Sequence, residues 1–530
     1  MVDLGKPSSA VGKPAATQLG IVGTFMAFKP FTLQCLLTMG SLKFVAGYTM
    51  GAMAGIMLFA PNELGLNEVN VETVLGSSNF AAAFSAVSLG WIAKSFGSRV
   101  GATVAIVIQV VGLATIAAAW DYESMLVGRA LGGVGLGLSM VTVNSYLVDL
   151  APAKHRGAAG CIAEAAVQTG ITTGYLFALV FYGFPDAYCW RLMAALIILP
   201  ALLLLFQIQQ LPESPRWLIT NHQAHEARTV LEMTCDPEDV DATFDRLQKA
   251  VNKDQLLSDV SFIEVLCQSR PVARKALVIA MIITVGQQLS GADIIVSYVP
   301  QIMGTAGVRG RLMQLVASLA VGVWRTASTF WGMSLVDSGA LGGRRSIMLV
   351  SVAGASASMF LLAVAIFLPN SSLAGLLAVG AVMGFVTMFE VGMGPTSWVL
   401  ASETLPSRER SSGLAICGFS SRMTAGMMVS TYLSLSTLMS EGGVFCFYAS
   451  LTALNCLLAY CLYPETKGKT LEEIEQQLMP EDAEPEEHKS RIWRTKSKEV
   501  RNLTGYGTTS NTTLASHFAP ELSPIEEQKV

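Results

Sequence analysis

Charged side chains are scarce in this chain. Lys, Arg, Asp and Glu make up 14% of its 530 residues, whereas soluble domains carry about a quarter. The net charge of −4 provides no basic surface, so we expect no nucleic-acid partner. The nine cysteines lack metal-ligand spacing, and the apolar runs contain no nucleophile–base set, so we expect no metal, no cofactor and no enzymatic activity. The first 18 residues lack the architecture of a signal peptide, which leaves the first apolar run to direct insertion.

Long apolar runs account for most of the chain, and hydrophobic residues make up 52% of it. A membrane-spanning helix needs about 20 apolar residues. Twelve such runs begin near Phe31, Val74, Val100, Ser124, Gly160, Trp190, Ala276, Leu312, Ser346, Leu373, Gly413 and Val444. We therefore predict an all-α membrane protein with twelve transmembrane helices.

A polar stretch at 221–274, with helical patterning in its first half, separates the sixth run from the seventh. The predicted domains are an N-terminal tail (1–30), a six-helix bundle (31–211), a linker with short helices (212–275), a second six-helix bundle (276–463) and a C-terminal tail (464–530). Lys and Arg concentrate in the loops on the side of the tails, as at Lys94, Arg99 and Lys154. Because such loops stay inside, we predict that both termini are cytoplasmic. We also expect the membrane to be the plasma membrane.

The two halves repeat each other. Three landmarks recur in the same order at offsets of 254, 252 and 246: DLAPAKHRG at Asp149 with ETLPSRER at Glu403, PES at Pro212 with PET at Pro464, and GSR at Gly97 with GRR at Gly343. Duplicated halves are typical of secondary transporters, in which the substrate site lies between the halves near the midplane.

One apolar run contains an unusual polar segment, GQQLSGADIIVSY at 286–298. An unpaired amide or carboxylate in hydrocarbon costs several kcal/mol, so such groups usually face a partner, a cavity or a substrate. Gly291 allows the backbone to loosen. We predict that this segment forms the wall of a polar cavity halfway through the membrane.

Several motifs together identify a family. They are GRALGGVGLG at Gly128, DLAPAKHRG at Asp149, PESPRWL at Pro212, QQLSGAD at Gln287, GGRR at Gly342, FEVGMGPTSW at Phe389 and PETKGKTLEEI at Pro464. With them the chain resembles the sugar porter family of the major facilitator superfamily over residues 40–474, and its long loop and tail resemble those of fungal members. The resemblance implies the major facilitator fold, with two pseudo-symmetric six-helix halves, and transport of a sugar or polyol by alternating access.

The resemblance also implies a set of substrate-binding residues. Gln287 and Gln288 match amides that bind sugar hydroxyls, and Trp398 matches an aromatic residue that stacks on a sugar face, although a core aromatic is the alternative. The other implied positions depart from the family pattern: Glu164 replaces a glutamine, with Gln168 one turn on, Asp293 an asparagine, Ser297 a tyrosine, Arg325 an asparagine, Ser421 a glutamine and Arg422 an aromatic residue.

These replacements make the predicted cavity unusually charged, and Lys43 on the first span adds a further charge. In one interpretation Glu164, Asp293, Arg325 and Arg422 neutralise one another and hold helices together. In the other, some of them bind hydroxyls or an ionised substrate, or Glu164 or Asp293 carries a proton.

The family's usual coupling carboxylate is absent. In proton-coupled members, the arginine that matches Arg129 works with an aspartate on the first span, but Thr49 stands at that position here. Threonine cannot exchange a proton near neutral pH. We therefore expect either uniport or proton coupling through Glu164 or Asp293.

Carboxylates and arginines recur at the inner ends of both halves. The predicted coupling and gating residues are Arg129, Glu390, Asp149, Arg156, Glu213, Arg216, Arg344, Arg345, Glu403, Arg410 and Glu465. Those at the inner face form either a network between the halves that biases the closed-inside state, or charges that only set topology.

The predicted partners are a small sugar or polyol, the lipid bilayer and, if transport is coupled, protons. Two other functions stay open at this point. The extra arginines allow a carrier of an organic acid or small metabolite, and a transport-inactive nutrient receptor would share the same spans.

Overall fold

The computed structural model describes residues 28–151, 156–256, 265, 271–338, 343–368, 372–406, 409–466, 469 and 471–478. The predictions for most of the N-terminal tail and for the C-terminal tail beyond residue 478 lie outside them.

Twelve long helical stretches follow one another along the chain. They are α1 (Pro30–Leu64), α2 (Glu68–Ser88), α3 (Ser98–Ala117), α4 (Tyr122–Leu150), α5 (Arg156–Val180), α6 (Asp186–Gln209), α7 (Pro271–Thr305), α8 (Arg311–Ser338), α9 (Arg344–Phe367), α10 (Leu373–Thr404), α11 (Arg410–Val429, continued by Tyr432–Met439) and α12 (Glu441–Leu462). Short helices Gly90–Phe96, Pro215–Thr220, Ala224–Thr234, Val240–Leu256 and Leu471–Leu478 join or follow them.

The prediction of twelve transmembrane helices is confirmed. Within the described ranges, nine helical stretches are long and apolar enough to cross a membrane. The remaining three, α2, α8 and α11, carry the ionisable residues Glu72, Arg325 and Arg422 inside their sequences. Their apolar signal is weaker because these helices turn polar side chains toward other helices instead of lipid.

Glycines set the closest helix contact in the N-terminal half. A Cβ atom at Gly51 of α1 would lie 2.1 Å from the carbonyl oxygen of Ile171 on α5. Reciprocally, a Cβ atom at Gly174 of α5 would lie 2.4 Å from the backbone nitrogen of Ala52. With Gly47 and Gly170, these residues form small-xxx-small pairs that let two backbones touch, the usual way in which helices associate in lipid.

The two halves meet along α2 with α11, α5 with α8, and α1 with the second part of α7. We call the side with Glu68, Asp186 and Arg311 the distal face. There Arg311 Nη1 lies 3.1 Å from Asp186 Oδ2, and the Ser434 backbone N–H donates to Glu72 Oε1 over 2.8 Å. These contacts hold the halves together at the distal face.

The opposite side, which we call the linker face, contains the short helices that follow α6. Thr32 Oγ1 at the start of α1 donates to the carbonyl oxygen of Thr234 over 3.1 Å. Lys29 Nζ donates to the carbonyl oxygen of Cys235. The linker is thereby attached to the first transmembrane helix, next to the start of the described chain.

Candidate functional site

The polar segment predicted from sequence interrupts α7. Gly291 has φ of 81°, a left-handed conformation that favours glycine, and it separates Pro271–Leu289 from Ala292–Thr305. Gln287 and Gln288 end the first part, and their side chains are only 5% and 4% exposed. Both amides therefore point into the protein, and the polar cavity that they were predicted to line stays a prediction.

A second interruption lies in α10. Residues Phe389–Met393 form one π-helical turn, a feature that often marks functional sites. Neighbouring side chains bind the backbone groups there: Gln287 Nε2 donates to the carbonyl oxygens of Met393 and Gly394 over 3.1 and 3.2 Å, and the Met393 N–H donates to Ser351 Oγ over 2.8 Å. These hydrogen bonds stabilise the irregular backbone within the span.

Glu390 projects from this π turn and is 1% exposed. Its Oε1 atom accepts from Arg325 Nε over 2.9 Å and from Gln168 Nε2 over 3.1 Å. Its Oε2 atom accepts from Thr329 Oγ1 over 3.0 Å. A buried carboxylate with a bonded guanidinium and two further donors is the arrangement that a buried ion pair requires.

Gln168 belongs to the other half and links two carboxylates. Its Nε2 atom also donates to Glu164 Oε1, one turn earlier on α5, over 2.6 Å. Its Oε1 atom is buried without a hydrogen-bond partner in the described part of the chain. One turn further along α5, Thr172 Oγ1 lies 2.9 Å from Thr326 Oγ1 on α8. The α5–α8 contact is therefore polar at the level of Glu390.

Arg422 on α11 makes a second polar link between the halves. Its Nη1 atom donates to Asn79 Oδ1 on α2 over 3.2 Å and lies 3.6 Å from Asp293 Oδ2. One residue before it, Ser421 Oγ accepts from Gln288 Nε2 over 3.1 Å. The predicted substrate-binding residues of α7 and α11 therefore contact one another.

The sequence analysis left open whether the extra charges neutralise one another or bind substrate. Arg325 is paired with Glu390 and Arg422 with Asp293, both within the C-terminal half. Lys43 is 5% exposed, and Glu164 attracts it while Arg422 repels it. Each of these cations thus has a carboxylate near it.

Arg129 is a further buried cation. It is 6% exposed, and its Nε atom, like that of Arg422, has no hydrogen-bond partner among the described residues. The hydroxyl of Thr49 donates to the carbonyl oxygen of Ala46, in its own helix, over 2.7 Å. Thr49 therefore acts as an intrahelical donor, and the proposed coupling role of Arg129 stays a prediction.

Trp398 is half-buried and packs against a small apolar cluster with Leu277, Ala401 and Cys417. This contact corresponds to the core-aromatic alternative, and stacking on a substrate stays a prediction. Ser297 is half-buried in the second part of α7.

At the linker face, Glu213 and Glu465 bind helix N-termini. Glu213 Oε1 accepts from the backbone N–H of Ser98, the first residue of α3, over 2.8 Å. Glu465 Oε1 accepts from the backbone N–H of Arg344, the first residue of α9, over 3.0 Å. The duplicated carboxylates therefore hold the third helix of each half through backbone N–H groups, which the prediction of carboxylate–arginine pairs did not include. Burial raises the pKa of Glu213, and its backbone hydrogen bonds oppose that shift.

The other predicted gating residues make contacts within their own halves. In the N-terminal half, Ser214 Oγ donates to Asp149 Oδ2 over 2.8 Å, and Arg216 is exposed. In the C-terminal half, Arg344 Nη1 pairs with Glu403, Arg345 donates to the carbonyl oxygen of Tyr460, and Arg410 Nη2 donates to the carbonyl oxygen of Leu405 over 3.3 Å. Arg156 begins α5, but its side chain lies outside the described residues. Each of these contacts joins two elements of the same half, so a network between the halves stays a prediction for another conformation.

The sequence analysis missed several residues that join the halves. Asn79, Thr172, Thr326 and Glu72 all contribute a polar atom to a contact between the halves. Glu72 was detectable as a carboxylate inside a span. The hydroxyls and Asn79 were not, because short polar side chains in spans usually bond to their own helix.

Comparison with known proteins places this geometry among carriers. The family described as "Sugar (and other) transporter" matches residues 22–478. A probable polyol transporter of Arabidopsis thaliana is 32% identical over 449 residues, which are 84% of this chain and 85% of that protein. The galactose-proton symporter of Escherichia coli is 29% identical over 439 residues, 82% of this chain and 91% of that protein.

Solved structures share the fold. The proton:xylose symporter XylE bound to 6-bromo-6-deoxy-D-glucose superposes with a TM-score of 0.70 at 22% identity, over 85% of this chain and 99% of that one. A partially occluded inward-open form of the Escherichia coli xylose transporter gives a TM-score of 0.69 at 22% identity, over 83% of this chain and 100% of the other.

Proposed function

The chain belongs to the sugar transporter family, and from that premise we propose that it carries a neutral sugar or polyol across the membrane by alternating access, without covalent chemistry. The observation that supports this proposal best is the set of buried amides and carboxylates on α5, α7 and α10. Gln287, Gln288 and Gln168 have buried side chains, and the Oε1 atoms of Gln287 and Gln168 have no hydrogen-bond partner in the described chain. Free carbonyl acceptors of this kind suit the hydroxyl donors of a polyol.

The charge pattern favours a neutral substrate. The two arginines that suggested an organic acid each face a carboxylate, Glu390 for Arg325 and Asp293 for Arg422. An ionised acid would have to compete with these carboxylates for the guanidinium groups and would add a further negative charge beside them. Hydroxyl groups can bind the same carboxylates without separating the pairs.

The location follows from the same family premise. We propose the plasma membrane, with both termini in the cytoplasm and the linker face inside. The Lys and Arg residues of the loops support this orientation, because Lys94, Arg99 and Arg344 lie at the linker face and such residues are retained in the cytoplasm.

The test is counterflow with the purified protein in liposomes. Vesicles loaded with an unlabelled candidate are diluted into trace amounts of the same compound in labelled form, with hexoses, pentoses, linear and cyclic polyols and organic acids as candidates. We expect labelled neutral polyhydroxy compounds to enter transiently above the outside level, and organic acids not to do so. Counterflow of organic acids alone would reject the proposal. The absence of counterflow for every candidate would also reject it, in favour of a transport-inactive receptor.

A substitution connects transport to the site. Gln287→Leu removes an acceptor for a neutral hydroxyl, which is worth about 0.5–1.5 kcal/mol, so we expect the apparent affinity to fall about two- to twelvefold. Gln109→Leu is the matched control, because Gln109 is a buried glutamine that packs against Gly135 within the N-terminal half. Equal effects of both substitutions would show that Gln287 acts through general packing.

A further inference from the structure

Two carboxylates, one from each half, share a single hydrogen-bond donor. Gln168 Nε2 donates to Glu164 Oε1 over 2.6 Å and to Glu390 Oε1 over 3.1 Å. Glu164 and Gln168 belong to α5, and Glu390 belongs to the π turn of α10. One amide therefore draws two like-charged groups together across the boundary at which the halves separate during transport.

Each carboxylate of this pair has a cation near it in its own half of the protein. Lys43 on α1 attracts Glu164, and both lie in the N-terminal half. Arg325 on α8 bonds to Glu390, and both lie in the C-terminal half. If each half moves as a rigid body, these two attractions persist in every state of the transport cycle.

The interactions between the halves behave differently. Glu164 repels Glu390, and Arg422 of the C-terminal half repels Lys43 of the N-terminal half. Asp293 lies 3.6 Å from Arg422, in its own half. The Glu164–Glu390 repulsion is present in this conformation, in which the distal face is closed, and a motion that takes α5 away from α10 would relieve it.

We propose that Glu164 and Glu390, joined by the amide of Gln168, form the proton-binding site that couples transport in this chain. The inference rests on the proposed transport function. A proton on either carboxyl group removes the repulsion between them, so the closed arrangement binds a proton more tightly than the separated one. A ligand shifts a conformational equilibrium only by such a difference in affinity, and the shift is reciprocal.

The proton balance is simple. One proton passes from water at the open face to one oxygen of the pair, and the same proton returns to water at the other face after the halves have moved. No bond other than the O–H bond is made or broken, and no co-reactant is needed. Thr49 takes no part, since its hydroxyl donates within α1.

The test measures the inside-to-outside concentration ratio of the substrate at steady state. A variant that transports slowly still reaches the ratio that its proton coupling allows. Proteoliposomes with the membrane potential clamped at zero receive a pH gradient of about one unit, with the lower pH outside. The labelled substrate is the compound that gives the strongest counterflow. A carrier that moves one proton with each substrate holds about a tenfold inside-to-outside ratio under these conditions. We expect this ratio for the wild type and a ratio near one for Glu164→Gln and Glu390→Gln, both of which should exchange more slowly.

Asp293→Asn tests the other carboxylate that the sequence analysis left open as a proton carrier. Its cation Arg422 lies in the same half, so the inside-to-outside ratio of this variant should stay about tenfold even where its affinity for substrate falls. Glu232→Gln, which removes an exposed carboxylate of the linker, is the matched control. Glu390→Gln leaves Arg325 without its carboxylate, and if this variant fails to fold, Arg325→Met with Glu390→Gln removes both charges and should also give a ratio near one.

The outcomes separate this inference from the proposed function. A tenfold ratio in either single variant, or a ratio of one in Asp293→Asn, would overturn the assignment of the pair. A wild type that shows counterflow but no response to the pH gradient would be a uniporter, which rejects the inference and leaves the proposed function intact. A wild type without counterflow would reject the proposed function itself.

Discussion

The Nη1 atom of Arg422 donates to the Oδ1 atom of Asn79 over 3.2 Å and thereby joins α11 to α2. A hydrogen bond to a charged group contributes about 1.5–3 kcal/mol. This bond exists only while the halves meet, so Asn79→Leu should favour the state in which the distal face is open.

Cysteine labelling measures this shift. Ser430 lies against Gly76 in the α2–α11 contact, and Ser430→Cys is introduced in a background without the nine native cysteines. We expect Asn79→Leu to raise the labelling rate by about tenfold to a hundredfold. Thr73→Val on the same helix should not, because the Thr73 hydroxyl bonds to the carbonyl oxygen of Val69 in α2. An unchanged rate in Asn79→Leu would show that this bond does not bias the equilibrium.

The buried Arg325–Glu390 pair predicts a strong dependence of each residue on the other. Arg325→Met leaves a buried carboxylate without its cation, which costs about 3–5 kcal/mol, so the apparent melting temperature in detergent and the counterflow rate should both fall sharply. Arg325→Met with Glu390→Gln removes both charges and should restore much of the melting temperature. A double variant as unstable as the sum of the two single variants would show that the pair is not coupled.

The glycine contact between α1 and α5 predicts a steric effect. A methyl group at Gly51 would meet the carbonyl oxygen of Ile171 at 2.1 Å, so Gly51→Ala must push the two helices apart. We expect poor yield of folded protein, with a loss of about 1–3 kcal/mol for overpacking. Gly160→Ala on α5 is the control, because a Cβ atom there has no neighbour within 4 Å, and the prediction fails if both variants melt alike.

The carboxylate of Glu213 caps the start of α3, and this predicts a graded series. Glu213→Ala removes the acceptor for the backbone N–H of Ser98 and should cost about 0.5–2 kcal/mol of stability. Glu213→Gln keeps a neutral acceptor and should lose less, since only the interaction with the helix dipole is removed. Thermal melting checks this, with Glu232→Ala as control because Glu232 forms an exposed pair with Arg228. Equal losses for alanine and glutamine at position 213 would contradict the cap.

Much of the architecture could be predicted because hydrocarbon restricts what a chain can do. Each predicted apolar run corresponds to a helix that begins within six residues of the predicted start; Phe31 against Pro30 is among the nearest and Val74 against Glu68 is the farthest. The burial of Gln287 and Gln288 was predictable for the same reason, since an amide cannot face lipid without a partner. The residues that join the halves, such as Asn79 and Thr326, were not predictable, because their contacts depend on how helices distant in sequence are rotated.

The sequence by itself determined that this chain spans a membrane in duplicated halves, with polar residues in the middle of its spans, because length, hydropathy and repeated motifs are local properties. Only the tertiary structure decided which charges face each other. It paired Arg325 with Glu390 and Arg422 with Asp293, and it brought Glu164 to Glu390 through one amide of Gln168. The reason is physical: electrostatic interactions depend on distances of a few ångströms, and those distances are set by helix packing between residues that lie far apart in the chain.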